Sequence, residues 1–167
     1  MLYFVVVDSD NVYFGLDDDT VPDFYAVDKA TGNEVWTFTG DGGVASEVVM
    51  DSDAVYFTSE RDVFAVKKSD GTQLWENTDP SIGYGFAIDA NNIYTASTTR
   101  ADAWAIDKSD GSVVWEFTSN SDIVSGFASD ANNVYFGEGF DGSKVYAVDK
   151  STGNEVWSFS SDVNERS

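Results

Sequence analysis

The sequence predicts an all-β fold, a β-propeller of four four-stranded antiparallel blades, and three observations carry the prediction. Tryptophan recurs at positions 36, 75, 115 and 157, at intervals of 39, 40 and 42 residues. A second landmark recurs in the same phase: DSDNVYF from Asp8, DSDAVYF from Asp51, DANNIYT from Asp89 and DANNVYF from Asp130. Between the landmarks lie short β-branched and aromatic runs bounded by Asn, Asp, Ser and Gly, the pattern of brief strands joined by tight turns. A period near forty residues with four strands per unit selects a propeller over a sandwich or a barrel.

Each unit resolves into strands a to d. Strand a is an apolar run that stops at the Asp of the second landmark, over residues 1–7, 44–50, 82–88 and 123–129. Strand b follows at Val12–Gly15, Val55–Thr58, Ile93–Ala96 and Val134–Gly137. Strand c holds Phe24–Val27, Val63–Val66, Ala103–Ile106 and Val145–Val148. Strand d closes on the Trp, often with an aromatic two residues on, as in Trp36/Phe38, Trp115/Phe117 and Trp157/Phe159. The blades then span about 1–39, 40–78, 79–119 and 120–161, with a tail over 162–167, in a single propeller domain. In the a–b turn the first Asp can cap backbone N–H groups. In the c–d turn a glycine supplies positive φ without a steric cost.

Composition narrows the chemistry. Thirty acidic residues face nine basic ones, for a formal charge of −21, and 22 of the acids are Asp. The acids recur at the same turns of every repeat, which reads as turn formers on a wet rim. Self-repulsion of this size opposes a compact state at low salt. The Debye length falls from about 10 Å at 0.1 M to about 3 Å at 1 M, so the composition is that of a halophilic protein in a salt-rich setting. Nucleic acid is not an expected partner, because phosphate contacts need Lys and Arg. The chain has no cysteine and no histidine. Disulfides, thiolate nucleophiles, and the usual near-neutral base and transition-metal ligand are therefore missing. No apolar run approaches the roughly 18 residues of a membrane span. Met1–Val7 is apolar but too short for a leader, lacks a positive flank and reads as a strand.

The tryptophans sit in the segments AVDKATGNEVW, AVKKSDGTQLW, AIDKSDGSVVW and AVDKSTGNEVW. Ala26, Ala65, Ala105 and Ala147 each stand six residues before Gly32, Gly71, Gly111 and Gly153, and each glycine stands four before Trp36, Trp75, Trp115 or Trp157. One ring at the same place in every blade reads as structural docking against the neighbouring blade, since such rings bury about 150–250 Å². A stacking platform for a planar cofactor would need only one or two rings in a central channel. Trp104, in place of the Tyr or Phe at 25, 64 and 146, reads as core.

The pattern A-x-D-x-x-[TD]-G-x-x-x-W resembles the tryptophan docking motif of the pyrroloquinoline-quinone (PQQ)-like repeat family, and the resemblance covers the whole chain. That family includes eight-bladed quinoprotein alcohol dehydrogenases and cofactor-free propellers such as BamB-like outer-membrane assembly proteins. The resemblance therefore implies a fold and, from its members, an extracytoplasmic setting, but no one activity. The dehydrogenases carry about twice as many blades, calcium, an Asp base and usually a vicinal disulfide. Four blades without cysteine depart from that pattern, so no cofactor is expected, with PQQ and calcium as the alternative.

Four blades at an eight-blade angle cover half a ring and leave apolar faces on the first and last blades, so a homodimer closing an eight-bladed ring is expected. Variable b–c and d–a loops on a rigid frame are the place for recognition, including of a protein partner. They hold Asp17, Asp18 and Asp19, weak calcium candidates without the spacing of a calcium loop. They also hold Arg61 and Arg100, which can contact an anion. Glu47 is the one charged residue within a strand a, where Phe4, Gly85 and Gly126 stand in the other repeats, and is a possible channel residue. The expected function is a non-catalytic scaffold or binding module; the rival is an enzyme, either a quinoprotein relative or a carboxylate-based carbohydrate-active propeller.

Overall fold

The computed structural model describes residues 2–16, 23–40, 42–44, 47–59, 62–78, 82–97, 102–123, 125–139 and 144–160. The described residues form four antiparallel four-stranded sheets, and no helix is among them. The first sheet is β1 (Leu2–Val7), β2 (Asn11–Leu16), β3 (Phe24–Asp28) and β4 (Glu34–Phe38). The second is β5 (Val49–Met50), β6 (Ala54–Ser59), β7 (Asp62–Lys67) and β8 (Gln73–Asn77). The third is β9 (Ile82–Ile88), β10 (Asn92–Ser97), β11 (Asp102–Asp107) and β12 (Val113–Thr118). The fourth is β13 (Ala128–Ser129), β14 (Asn133–Gly137), β15 (Lys144–Asp149) and β16 (Glu155–Ser160). Strand order within each sheet follows the sequence, as expected of propeller blades. The chain divides into two compact units, Met1–Gly83 and Tyr84–Ser167.

The turns form for the reasons the residues suggest. Asp8 Oδ1 accepts from the N–H groups of Asp10 (2.9 Å) and Asn11 (2.8 Å), and Asp51, Asp89 and Asp130 do the same two and three residues on. In the c–d turn the Gly32 N–H donates to the Asp28 carbonyl at 2.8 Å, with Gly32 at φ 71°. Gly71, Gly111 and Gly153 repeat that turn at φ 74°, 76° and 72°. The two turns of a blade are tied together: the Lys29 N–H donates to the Asp10 carbonyl at 2.8 Å, and Lys68, Lys108 and Lys150 make the equivalent bond.

Two features differ from the simple strand pattern. Each strand d carries one extra residue, because Ala26 faces Trp36 while Val27 faces Glu34, and the same shift recurs in the other three sheets. This β-bulge bends the strand and re-aims the Trp. It also leaves Val35, Leu74, Val114 and Val156 exposed. The second and fourth strands a are shorter than the expected 44–50 and 123–129, reduced to β5 and β13 with isolated bridges Val44↔Ser59 and Ile123↔Glu138. Hydroxyl side chains make hydrogen bonds beside these bridges. The Gly137 N–H donates to Ser125 Oγ at 2.6 Å, and Ser59 Oγ accepts from the Gly42 N–H at 3.1 Å.

Within each unit the core lies between successive sheets. In the first unit Trp36 and Phe38 share a cluster with Val48, Phe57 and Phe64 of the next blade. Phe24 stacks on Phe57 at 4.2 Å between ring centroids, and Phe38 meets Phe57 and Phe64 edge-on at 5.8 and 5.4 Å. In the second unit Phe117 meets Phe136 and Tyr146 edge-on at 5.4 and 5.1 Å.

Candidate functional site

The recurring residues converge on a clasp between consecutive blades. The Trp36 ring lies over Gly71 of the next blade, so close that a Cβ on Gly71 would sit 2.9 Å from ring atoms. Its indole N–H donates to the Lys68 carbonyl at 2.8 Å. The second unit repeats this: Trp115 lies over Gly153, with 2.7 Å to an added Cβ, and donates to the Lys150 carbonyl at 2.8 Å. Trp36 and Trp115 are each 7% exposed, whereas Trp157 is 45% exposed. Ala26, Ala65, Ala105 and Ala147 are wholly buried, each facing its blade's Trp across the c–d pair.

The same lysines close an ionic half of the clasp. Lys68 Nζ lies 2.8 Å from Asp8 Oδ2 of the preceding blade and donates to the Asp51 carbonyl of its own blade at 3.1 Å. Lys150 Nζ lies 2.7 Å from Asp89 Oδ2. Each ammonium also lies over a tyrosine ring, Lys68 at 5.8 Å from Tyr13 and Lys150 at 5.7 Å from Tyr94. Those phenols donate to the same carboxylates, Tyr13 to Asp8 at 3.0 Å and Tyr94 to Asp89 at 2.9 Å.

The electrostatics follow from these bonds. Burial opposes ionisation of Asp89, but the Lys150 ammonium and the N–H groups of Asn92 and Asn91 outweigh it and hold the carboxyl at about 2. Asp8 sits well below the usual carboxylate range for the same reasons, with Lys68 as the cation. Burial, with the neighbouring carboxylate, pushes the Tyr94 phenol up to about 12. Both partners therefore keep one protonation state across neutral pH. A group used for proton transfer needs a value near the working pH, so these act as locks.

The chemistry of the lysine and tyrosine was not read from the sequence. The signal was there: Lys29, Lys68, Lys108 and Lys150, four of only six lysines, stand three residues after the repeat alanine. Asp and Tyr likewise recur five apart, at 8/13, 51/56, 89/94 and 130/135. Glu47 corrects an expectation. It stands exposed ahead of β5 rather than inside a strand, because the second strand a is cut to two residues. Asp17, Asp18, Asp19, Arg61 and Arg100 lie outside the described residues.

Calcium is held by several converging carboxylate oxygens, and the described residues bear on that requirement. Among them no three Asp or Glu side chains converge as a metal site would need. The recurring Asp carboxylates are already engaged by backbone N–H groups and a phenol. Trp36 and Trp115 are packed against glycine in the described clasps.

A family model described as the outer membrane protein assembly factor BamB, of the PQQ-like repeat type, matches residues 3–81 and 59–166. The chain belongs to this family. No match was found among curated proteins. Among solved structures, the chain is similar to the computationally designed Ika8 protein, at 13% identity and TM-score 0.80, over 95% of this chain and 48% of that one. It is similar to BamB from Moraxella catarrhalis, at 15% identity and TM-score 0.76, over 92% of this chain and 47% of that one. It is also similar to the quinohemoprotein alcohol dehydrogenase from Comamonas testosteroni, at 15% identity and TM-score 0.78, over 96% of this chain and 35% of that one. At such identities the likeness shows the PQQ-like propeller fold alone. The chain spans about half the length of the first two structures, or less for the third.

Two predictions test the clasp. Gly71→Ala combines left-handed backbone strain with a clash against Trp36 and is expected to cost about 2–4 kcal/mol in urea unfolding. In a Trp36→Ala background the same substitution should cost only the strain, about 1 kcal/mol; equal costs in both backgrounds would rule out the contact. The second concerns pH. The folded Asp89 value of about 2 lies below its ordinary 3.8, so its stabilisation is present above about pH 5 and is lost as pH falls through 2. The stability difference between the natural chain and Asp89→Asn should be about 2 kcal/mol at pH 6 and shrink steadily on acidification to about pH 2. A difference independent of pH would show that Asp89 is not held ionised by the fold.

Proposed function

We propose that this PQQ-like propeller is a non-catalytic scaffold or binding module that works in a salt-rich setting. One observation carries the reading. The recurring turn carboxylates, among the chain's most abundant candidates for chemistry, are engaged in turn caps and clasps, with Asp8 and Asp89 held below their ordinary range and the Tyr13 and Tyr94 phenols above theirs. Asp28, Asp110, Asp130 and Asp149 are lowered by turn hydrogen bonds from Thr31, Ser112, Asn132 and Ser151 respectively. Recognition then falls to the b–c and d–a loops, which differ between repeats in length and charge and suit a protein partner.

The salt-rich setting rests on a comparison of two electrostatic effects. Salt weakens the Lys–Asp clasps, but those side chains are mostly buried, 13–23% exposed, and are screened less than surface charges. The repulsion within a charge of −21 is spread over the exposed turns and is screened strongly. The second effect wins, so salt stabilises.

Tryptophan emission during titration with PQQ and calcium tests the non-catalytic reading. No change up to high micromolar ligand is expected, and a saturable change would overturn it. A melting series in potassium chloride tests the setting. The midpoint should rise steeply between low and molar salt, with loss of β-sheet circular dichroism at the low end. A midpoint indifferent to salt would remove the halophilic reading.

A further inference from the structure

We propose that a second copy of this chain completes the clasp, with Trp157 of one copy seated on Gly32 and the Lys29 carbonyl of the other, head to tail, so that two copies close one ring. The chain carries both halves of an unmade clasp, and each half has a made counterpart to compare with.

The donor half is the fourth blade. Trp157 is 45% exposed, where Trp36 and Trp115 are 7%. Phe159 is 63% exposed, where Phe38 is 9% and packs on Phe57 and Phe64 of the next blade. Asp130 accepts from Asn132, Asn133 and Tyr135, as Asp8 and Asp89 accept from their own turns, but forms no ion pair with a lysine among the described residues.

The receiving half is the first blade. Gly32 has the same positive φ as Gly71 and Gly153, yet a Cβ on it would meet nothing within 4 Å. Lys29 Nζ donates to the Asp8 carbonyl at 3.1 Å, the same own-blade bond that Lys68 makes, without the carboxylate that Lys68 reaches in the preceding blade. Phe14 and Tyr25 stack at 5.4 Å in the positions of Phe57 and Phe64 and are only partly buried. Val5 is 54% exposed, while its counterpart Val48 is 3% exposed inside the cluster that holds Trp36.

The two halves match in shape and in charge. Trp157 meets an open glycine seat with a carbonyl beside it. Phe159 meets the Phe14–Tyr25 pair, and the Asp130 carboxylate meets the Lys29 ammonium. Each copy has one donor and one seat, so a head-to-tail pair fills both and leaves neither exposed. Burial of the exposed aromatics supplies the apolar driving force. Molar salt is needed, because two chains each of charge −21 must meet.

The test is absolute mass by light scattering in molar potassium chloride. The natural chain should give 36.4 kDa, twice the 18.2 kDa of one copy. Trp157→Ala removes an exposed ring, and Gly32→Asn fills the open seat with a residue that tolerates positive φ. Each variant alone should fall to 18.2 kDa with an unchanged β-sheet spectrum. Mixing the two should restore 36.4 kDa, because one variant keeps its seat and the other keeps its tryptophan. A natural chain at 18.2 kDa, a dimer that survives Gly32→Asn, a larger open assembly, or a mixture that stays at 18.2 kDa would each overturn the arrangement.

Discussion

An indole resting on a glycine is the contact on which the rest of each unit depends. The absence of a Cβ at Gly71 and Gly153 lets Trp36 and Trp115 descend onto the backbone of the next blade. At that depth the ring N–H finds the carbonyl of Lys68 or Lys150. The same lysine is then placed so that its ammonium reaches the carboxylate of the preceding blade. That carboxylate caps its own a–b turn and takes a phenol hydrogen bond. A left-handed turn glycine, a bulge and a buried ring are thus joined in one chain of contacts.

The charge distribution has the same logic. A chain with 30 acidic residues would be expected to dispense with lysine, yet four of its six lysines are kept at one repeat position. At that position a cation does what solvent ions cannot. Lys68 and Lys150 sit mostly buried between two blades, each against a carboxylate that burial alone would tend to neutralise. Other acids, such as Asp10, Asp53, Asp70 and Asp110, stand on exposed turns where water and salt can reach them. The clasp charges are few, paired and mostly buried, whereas an exposed pair such as Lys67–Asp70 is open to screening by salt.

The frame and the function are separable in this family. Similar folds carry the names of an assembly factor and of an alcohol dehydrogenase, which is the general case for widely used folds. What repeats here is committed to holding blades together. What varies from repeat to repeat is loop.

The sequence by itself determined the four-blade all-β architecture, the a-to-d strand order and the glycine turns. It could do so because each depends on local periodicity and on one or two residues with special backbone or packing needs, such as Gly71 with positive φ and Trp36 four residues from its turn glycine. The tertiary structure alone decided what depends on residues distant in sequence. The pairing of Lys68 with Asp8 joins positions 60 apart, and no local pattern names the partner. The bulge at Val35 is a register choice between strands, so a run that alternates on paper does not reveal it. The shortening of the second strand a to Val49–Met50, which leaves Glu47 outside it, is also a matter of cross-strand pairing. The difference between Trp157 and its three repeat partners is likewise invisible in a motif that all four share; only solvent exposure in the folded chain separates a seated ring from an unseated one.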